Sequence, residues 1–351
     1  MRIGGLWSLI LVAGLLMAGS AHAQADNIFA RADAYRAERA AACRGGDLDA
    51  CAQEGQNFWA GVRVPRDLPK AVEFLGRACR GGRLASCAHL GRLHAEAGTP
   101  FHQPATASGL FERACAGGEV DGCTAGAKAL LNADGRSYRD WPRAESFLRR
   151  ACDGDDNESC FRLGVVYLNG DGAPRDPTRA GPLLEAACVG GRRDACGWAA
   201  SVFGSGQHGA ADLARAERMM TRGCELGAGD VCYMKVSFLV SGAAGPERVA
   251  EGMQLLPRAC ELNVAAACSD LAVEMAQGQG MPKDEPRARQ LANRACRGGD
   301  WNGCMVFGLM QAHGVGGSAD REGAAAAFRR ALELDPARPE PRTALNDFGL
   351  E

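Results

Sequence analysis

Cys79-Arg80-Gly81-Gly82-Arg83-Leu84-Ala85-Ser86-Cys87 is a C-x7-C segment with a glycine pair two residues after its first cysteine. The same spacing recurs at Cys43/Cys51, Cys115/Cys123, Cys152/Cys160, Cys188/Cys196, Cys224/Cys232, Cys260/Cys268 and Cys296/Cys304, and it accounts for all 16 cysteines. Successive pairs start 36 residues apart, except for one interval of 37 between Cys115 and Cys152. A fixed period of this length defines a repeat array.

Overlaying the units gives their local structure. Bulky apolar pairs stand four or five residues before the first cysteine: Phe74/Leu75, Leu110/Phe111, Phe147/Leu148, Leu183/Leu184, Met219/Met220 and Leu255/Leu256. Small Ala71, Ala107, Ala144, Ala180, Ala216 or Ala288 stands eight before it. Spacings of three to four residues make one helical face. Glycine then stops that helix. The second cysteine opens another helix. Four residues after it comes Gly55, Gly91, Ala127, Gly164, Ala200, Ala272 or Gly308, small enough for two helices to approach closely. Ten residues after it, Gly61, Gly170, Gly206, Gly242, Gly278 or Gly314 ends the second helix, often before a Pro or Asp turn. The expected fold is all-α: an α-solenoid of stacked helix-turn-helix repeats of about 36 residues.

The run Leu163-Gly164-Val165-Val166-Tyr167-Leu168-Asn169-Gly170-Asp171-Gly172, continued to Ala186-Ala187-Cys188, resembles a Sel1-like repeat, a relative of the tetratricopeptide repeat. With C-x7-C in every unit, the chain is similar to the Helicobacter cysteine-rich protein family from about residue 28 to residue 335. The last unit departs from the pattern, because Leu332 stands where a first cysteine would be. The expected organisation is a signal peptide at 1–23, a capping helix at 24–47, eight repeats over 48–335 and a cap at 336–351.

Each first cysteine ends a helix and each second cysteine begins the next, across a tight turn. Their Cα atoms can reach the roughly 4–7 Å that a disulfide needs. Eight local disulfides are therefore expected, with no free thiol. Zinc motifs place cysteines two to four residues apart and add a second close pair, which does not occur here.

The N-terminus carries Arg2, an uncharged apolar run from Leu6 to Met17 and the small-x-small triplet Ala21-His22-Ala23. This reads as a secretory signal cut before Gln24, leaving about 328 residues with a net charge near −3. A periplasmic or secreted location follows, with no membrane span after cleavage. An oxidising compartment fits the cysteines. The whole chain has 351 residues, 46 % apolar and 23 % charged, with a net charge of −2. Such a composition buries a sizeable core. Near-neutral charge and 6 % aromatics argue against nucleic-acid binding.

A search for catalytic constellations finds none. His89, His94, His102, His208 and His313 form no H-E-x-x-H and read as core or surface histidines. No S-x-x-K is present. No cofactor or metal is expected. Asp49, Asp121, Glu158, Asp194 and Asp230, two residues before the second cysteine, read as helix N-terminal caps.

In tetratricopeptide-like solenoids the first helix of each unit lines the concave face. Carried over, this places positions five, eight and nine after the second cysteine inward: Gln56, Trp59 and Ala60; Arg92, Ala95 and Glu96; Lys128, Leu131 and Asn132; Val165, Leu168 and Asn169; Ser201, Gly204 and Ser205; Ser237, Val240 and Ser241. The candidate ligand-binding residues are Gln56, Trp59, Arg92, Glu96, Lys128, Asn132 and Asn169. The expected function is an exported, disulfide-stapled scaffold, monomeric, binding a protein, a peptide or a peptidoglycan-derived ligand on that face. The resemblance to the cysteine-rich family implies an alternative, β-lactam binding or weak β-lactam hydrolysis, without a recognisable nucleophile to perform it. A third alternative, an assembly factor for a redox complex, comes from a disulfide-rich Sel1-like relative.

Overall fold

The computed structural model describes residues 34–62, 64–133, 135–206 and 210–350. The signal segment at 1–23, the start of the capping helix and His208 lie outside the described residues. The chain divides into two compact units, Met1–Gly154 and Asp155–Glu351. The described residues of the first unit hold α1 (residues 34–44), α2 (Leu48–Ala60), α3 (Leu68–Arg80), α4 (Leu84–Ala95), α5 (Pro104–Ala116), α6 (Val120–Leu130) and α7 (Trp141–Asp153). The second holds α8 (Asn157–Asn169), α9 (Pro177–Val189), α10 (Arg193–Gly204), α11 (Leu213–Glu225), α12 (Gly229–Val240), α13 (Val249–Glu261), α14 (Ala265–Gln277), α15 (Glu285–Arg297), α16 (Trp301–His313), α17 (Arg321–Leu334) and α18 (Glu340–Asp347). Among the described residues there is no strand, only an isolated bridge between Leu131 and Tyr138. The fold is an α-solenoid of repeated helix pairs, each made of an even-numbered first helix and the odd-numbered second helix that follows it.

Aspartates start most of the second helices. Asp67, Asp140, Asp176, Asp212, Asp284 and Asp320 each accept a backbone N–H three residues on, opening α3, α7, α9, α11, α15 and α17. Such a cap stabilises a helix by about 1 kcal/mol. Proline in the first turn of α3, α7, α9 and α15 needs no N–H partner there. The acidic residues expected to cap the first helices do something else. Asp49, Asp121, Glu158, Asp194 and Asp230 lie inside the first turn, where the helix dipole suits them but no cap bond forms. The side-chain caps of α2 and α8 are Asp47 and Asp156 instead. Three of the acidic residues meet arginines across the repeat stack: Asp49 with Arg83 at 2.7 Å, Asp121 with Arg92 at 3.4 Å, and Glu158 with Arg192.

The turn between a second helix and the next first helix requires a left-handed residue. Glycine takes it at Gly82 (φ 96°), whereas Asp155 and Asn263 take it in the units that lack a glycine there. The turn brings the cysteines together. Cys43–Cys51, Cys79–Cys87, Cys115–Cys123, Cys188–Cys196, Cys224–Cys232, Cys260–Cys268 and Cys296–Cys304 are bonded, with Cα atoms 4.2–4.7 Å apart. Cys152 and Cys160 are also disulfide-bonded. No free cysteine exists among the described residues.

In five of the pairs, a large side chain of the second helix packs under a glycine of the first. A Cβ on Gly55 would lie 2.7 Å from Leu75, on Gly91 2.6 Å from Phe111, on Gly164 2.8 Å from Leu184 and on Gly308 2.5 Å from Phe328. The third pair differs from expectation. There Gly126, not Ala127, lies against Phe147, at 2.6 Å on the same measure. The interval of 37 residues shifts this contact by one residue on both helices. No described helix is long and apolar enough to cross a membrane.

Candidate functional site

The surface of interest is built by successive first helices. Side chains five, eight and nine positions after the second cysteine, joined by Thr124, Tyr233 and Asp270 at positions one or two, line furrows between neighbouring first helices. The floor comes from the intervening second helix, four residues before its cysteine.

In the first unit, α4 and α6 enclose a groove of about 370 Å³. Phe111, 1 % exposed, is its floor. Arg92, Ala95 and Glu96 wall it from the α4 side, and Thr124 and Lys128 from α6. Arg92 reaches both the carboxylate and the main-chain carbonyl of Asp121, at 3.4 Å. Glu96 accepts from Arg66 at 2.5 Å, and Arg66 also donates to the Trp59 carbonyl at 3.1 Å. Lys128 is exposed and meets no carboxylate among the described residues. Arg92, Glu96 and Lys128, named from the sequence, thus line one groove, and the sequence reading did not name Arg66.

Gln56 and Trp59 on α2 both face His89 of α4. The His89 Nδ1–H donates to the Ala85 carbonyl at 2.7 Å. That nitrogen therefore cannot accept from Gln56 Nε2, 3.5 Å away, so the Gln56 amide keeps its donors. The Trp59 ring meets the His89 ring edge-on, with centroids 5.6 Å apart. Asn132 follows the end of α6 rather than standing on a helix face. Its side chain donates to Ser137 Oγ and its backbone N–H to the Ser137 carbonyl, both at 2.9 Å. These bonds close the loop that holds the extra residue of this unit. Asn169 belongs to the second unit, exposed at the end of α8, with Nδ2 3.3 Å from Asp171.

The second unit repeats the groove. Between α12 and α14 lies a cavity of about 550 Å³, walled by Ser237, Val240, Ser241, Asp270 and Glu274 and floored by Leu256. Leu256 and Phe111 hold the same place, four residues before the first cysteine. The Tyr233 hydroxyl donates to Asp270 Oδ2 at 2.7 Å, tying α12 to α14. Burial, seconded by nearby Asp300, pushes the Asp270 carboxyl above the ordinary carboxylate range, while the Tyr233 hydrogen bond pulls the other way. Burial raises the Tyr233 phenol as well, and Asp270 adds to it. A further cleft of about 630 Å³ opens between the starts of α10 and α12, where Trp198 is 41 % exposed beside Arg193, Asp194, Ser201 and Asp230.

The sequence reading named Ser237, Val240 and Ser241 but missed Tyr233, Asp270 and Trp198. Each stands one or two positions after a second cysteine, a place the overlay did not single out. Tyr233 and Asp270 lie 37 residues apart, one period plus one.

Stacked helix pairs on a period near 36, with cysteines bonded eight residues apart, define a disulfide-stapled α-solenoid. The chain carries Sel1 repeats: the Sel1 repeat family model matches residues 49–82, 157–188 and 265–300. No curated protein matches the sequence. A Sel1 repeat protein from Oxalobacter formigenes superposes with a TM-score of 0.65 at 19 % identity, covering 90 % of this chain and 91 % of that one. This likeness concerns the fold alone. A protective antigen of uropathogenic Escherichia coli displaying an SLR fold gives 0.49 at 18 % identity, over 88 % of this chain and 81 % of that one. Helicobacter pylori cysteine-rich protein B gives 0.30 at 28 % identity, over 38 % of this chain and 93 % of that one.

Proposed function

We propose that the protein is an exported scaffold that binds an extended polypeptide along its first-helix face. The observation that carries this reading is the recurrence of one groove design in both units. Each groove has an apolar floor from the second helix, Phe111 or Leu256, and polar walls from two successive first helices. A furrow with an apolar floor takes alternate side chains of an extended chain, and wall groups meet its amides and charges. The disulfides fit a non-reducing extracellular or periplasmic location and make the frame rigid without a ligand.

In the first unit, Arg92 and Lys128 make the groove suited to acidic side chains. A capped nonapeptide alternating Glu and Ala should bind it. Charge-assisted hydrogen bonds are worth about 1.5–3 kcal/mol. Arg92→Ala with Lys128→Ala should therefore weaken binding by at least about tenfold. Equal binding by the double variant, with unchanged circular dichroism, would remove this groove from the account.

A further inference from the structure

The α12–α14 groove differs from its first-unit counterpart in charge. Its walls carry the carboxylates of Asp270 and Glu274, and among the described residues no basic side chain lines it. The basic residues nearby are committed elsewhere. Lys235, the only cation on α12, is buried and turned to Glu251 at 3.6 Å. Arg248 pairs with Glu217 at 2.7 Å and with Glu251 at 2.6 Å. No basic residue occurs on α14.

The carboxylate is also held in place. The Tyr233 hydroxyl occupies Oδ2 of Asp270, which fixes the group at the groove wall. Beneath it the lining is aliphatic, with Val236, Leu256 and Val273 together. A half-buried anion without a cation carries a desolvation cost, and a cation brought by a ligand offsets it. Lysine and arginine carry an alkyl stem that packs on apolar surface and a charged head that does not.

We propose that this groove takes the cationic side chain of a lysine or arginine from the bound polypeptide, with its stem over Val236, Leu256 and Val273 and its charge at Asp270 and Glu274. The inference rests on the first-helix face being a polypeptide-binding face.

The test uses the full chain and acetylated, amidated alanine pentapeptides with Lys, Arg, norleucine or Glu at the centre. Met253 lines the groove, so its methyl carbon shift reports occupancy. Lys and Arg peptides should move that resonance and bind at least about tenfold more tightly than norleucine. Asp270→Asn keeps a hydrogen-bond acceptor for Tyr233 and should erase the preference, and Glu274→Gln should reduce it. Equal binding of Lys and norleucine peptides, an unchanged preference in Asp270→Asn, or no response of Met253 to any peptide would each overturn the inference. The broader reading falls only if the acidic nonapeptide also fails to engage Arg92 and Lys128.

Discussion

Gly91 of α4 lies directly beneath the ring of Phe111 of α5, so close that a Cβ on Gly91 would sit 2.6 Å from ring carbon Cε1. The floor of the first-unit groove is thus set by a missing side chain. Gly91→Ala should force the ring to shift and cost about 1–3 kcal/mol, as overpacking does. Gly109, exposed in the middle of α5, has nothing within 4 Å of such a Cβ. Gly109→Ala should stabilise the protein by about 0.4–1 kcal/mol by restricting the unfolded chain. Denaturant melts of the two variants check the opposite signs.

The disulfides give a second prediction. Peptide mapping of the unreduced protein should find only bridges between cysteines eight residues apart, and no thiol that can be alkylated before reduction. A long-range bridge contradicts the local arrangement. Closing a nine-residue loop is worth about 2.6 kcal/mol in the loop-entropy treatment. Cys188→Ala with Cys196→Ala should lower stability by about that amount, measured by chemical denaturation.

Stability should respond to pH in opposite ways at two carboxylates. Burial raises Asp270 above its ordinary value of 3.8. Its contribution is full below 3.8 and is lost as pH rises through the folded pKa. The advantage of Asp270→Asn over the parent should therefore grow from acid to neutral pH. At Glu217, the hydrogen bond from Arg248 lowers the carboxyl below 4.5. Its contribution is full above 4.5 and is lost as pH falls through the folded pKa. Glu217→Gln should be destabilising at pH 7 and approach the parent in acid. A pH-independent difference at either site contradicts the assignment.

The period, the stapled turns and the small residues at helix crossings were legible because each obeys a local rule that repeats in the sequence. The cysteine spacing places Cys79 and Cys87 across one turn whatever the rest of the chain does. Asp49 and Asp121 were misread as caps because one position along a helix separates a cap from a first-turn residue. Asp47 does the capping of α2, while Asp49 meets Arg83, 34 residues away. Asn132 was misplaced because the extra residue of its unit falls in the loop after α6, which ends the helix before that position. Tyr233 and Asp270 were invisible as a pair. Their contact depends on how α12 and α14 stack, and no rule within a single repeat encodes it.

The central claim, that the first-helix face is the polypeptide-binding face, is tested most directly by face-resolved photocrosslinking. Benzoylphenylalanine would replace Ala95 on α4, Ser241 at the end of α12, or, on a second helix, exposed Gly109. Each variant would be irradiated with a mixture of random decapeptides and its adducts measured by mass spectrometry. The account predicts at least about tenfold more peptide adduct at Ala95 and Ser241 than at Gly109, where 1.4 kcal/mol is a factor of ten. Equal labelling at all three positions, or labelling concentrated at Gly109, would contradict it.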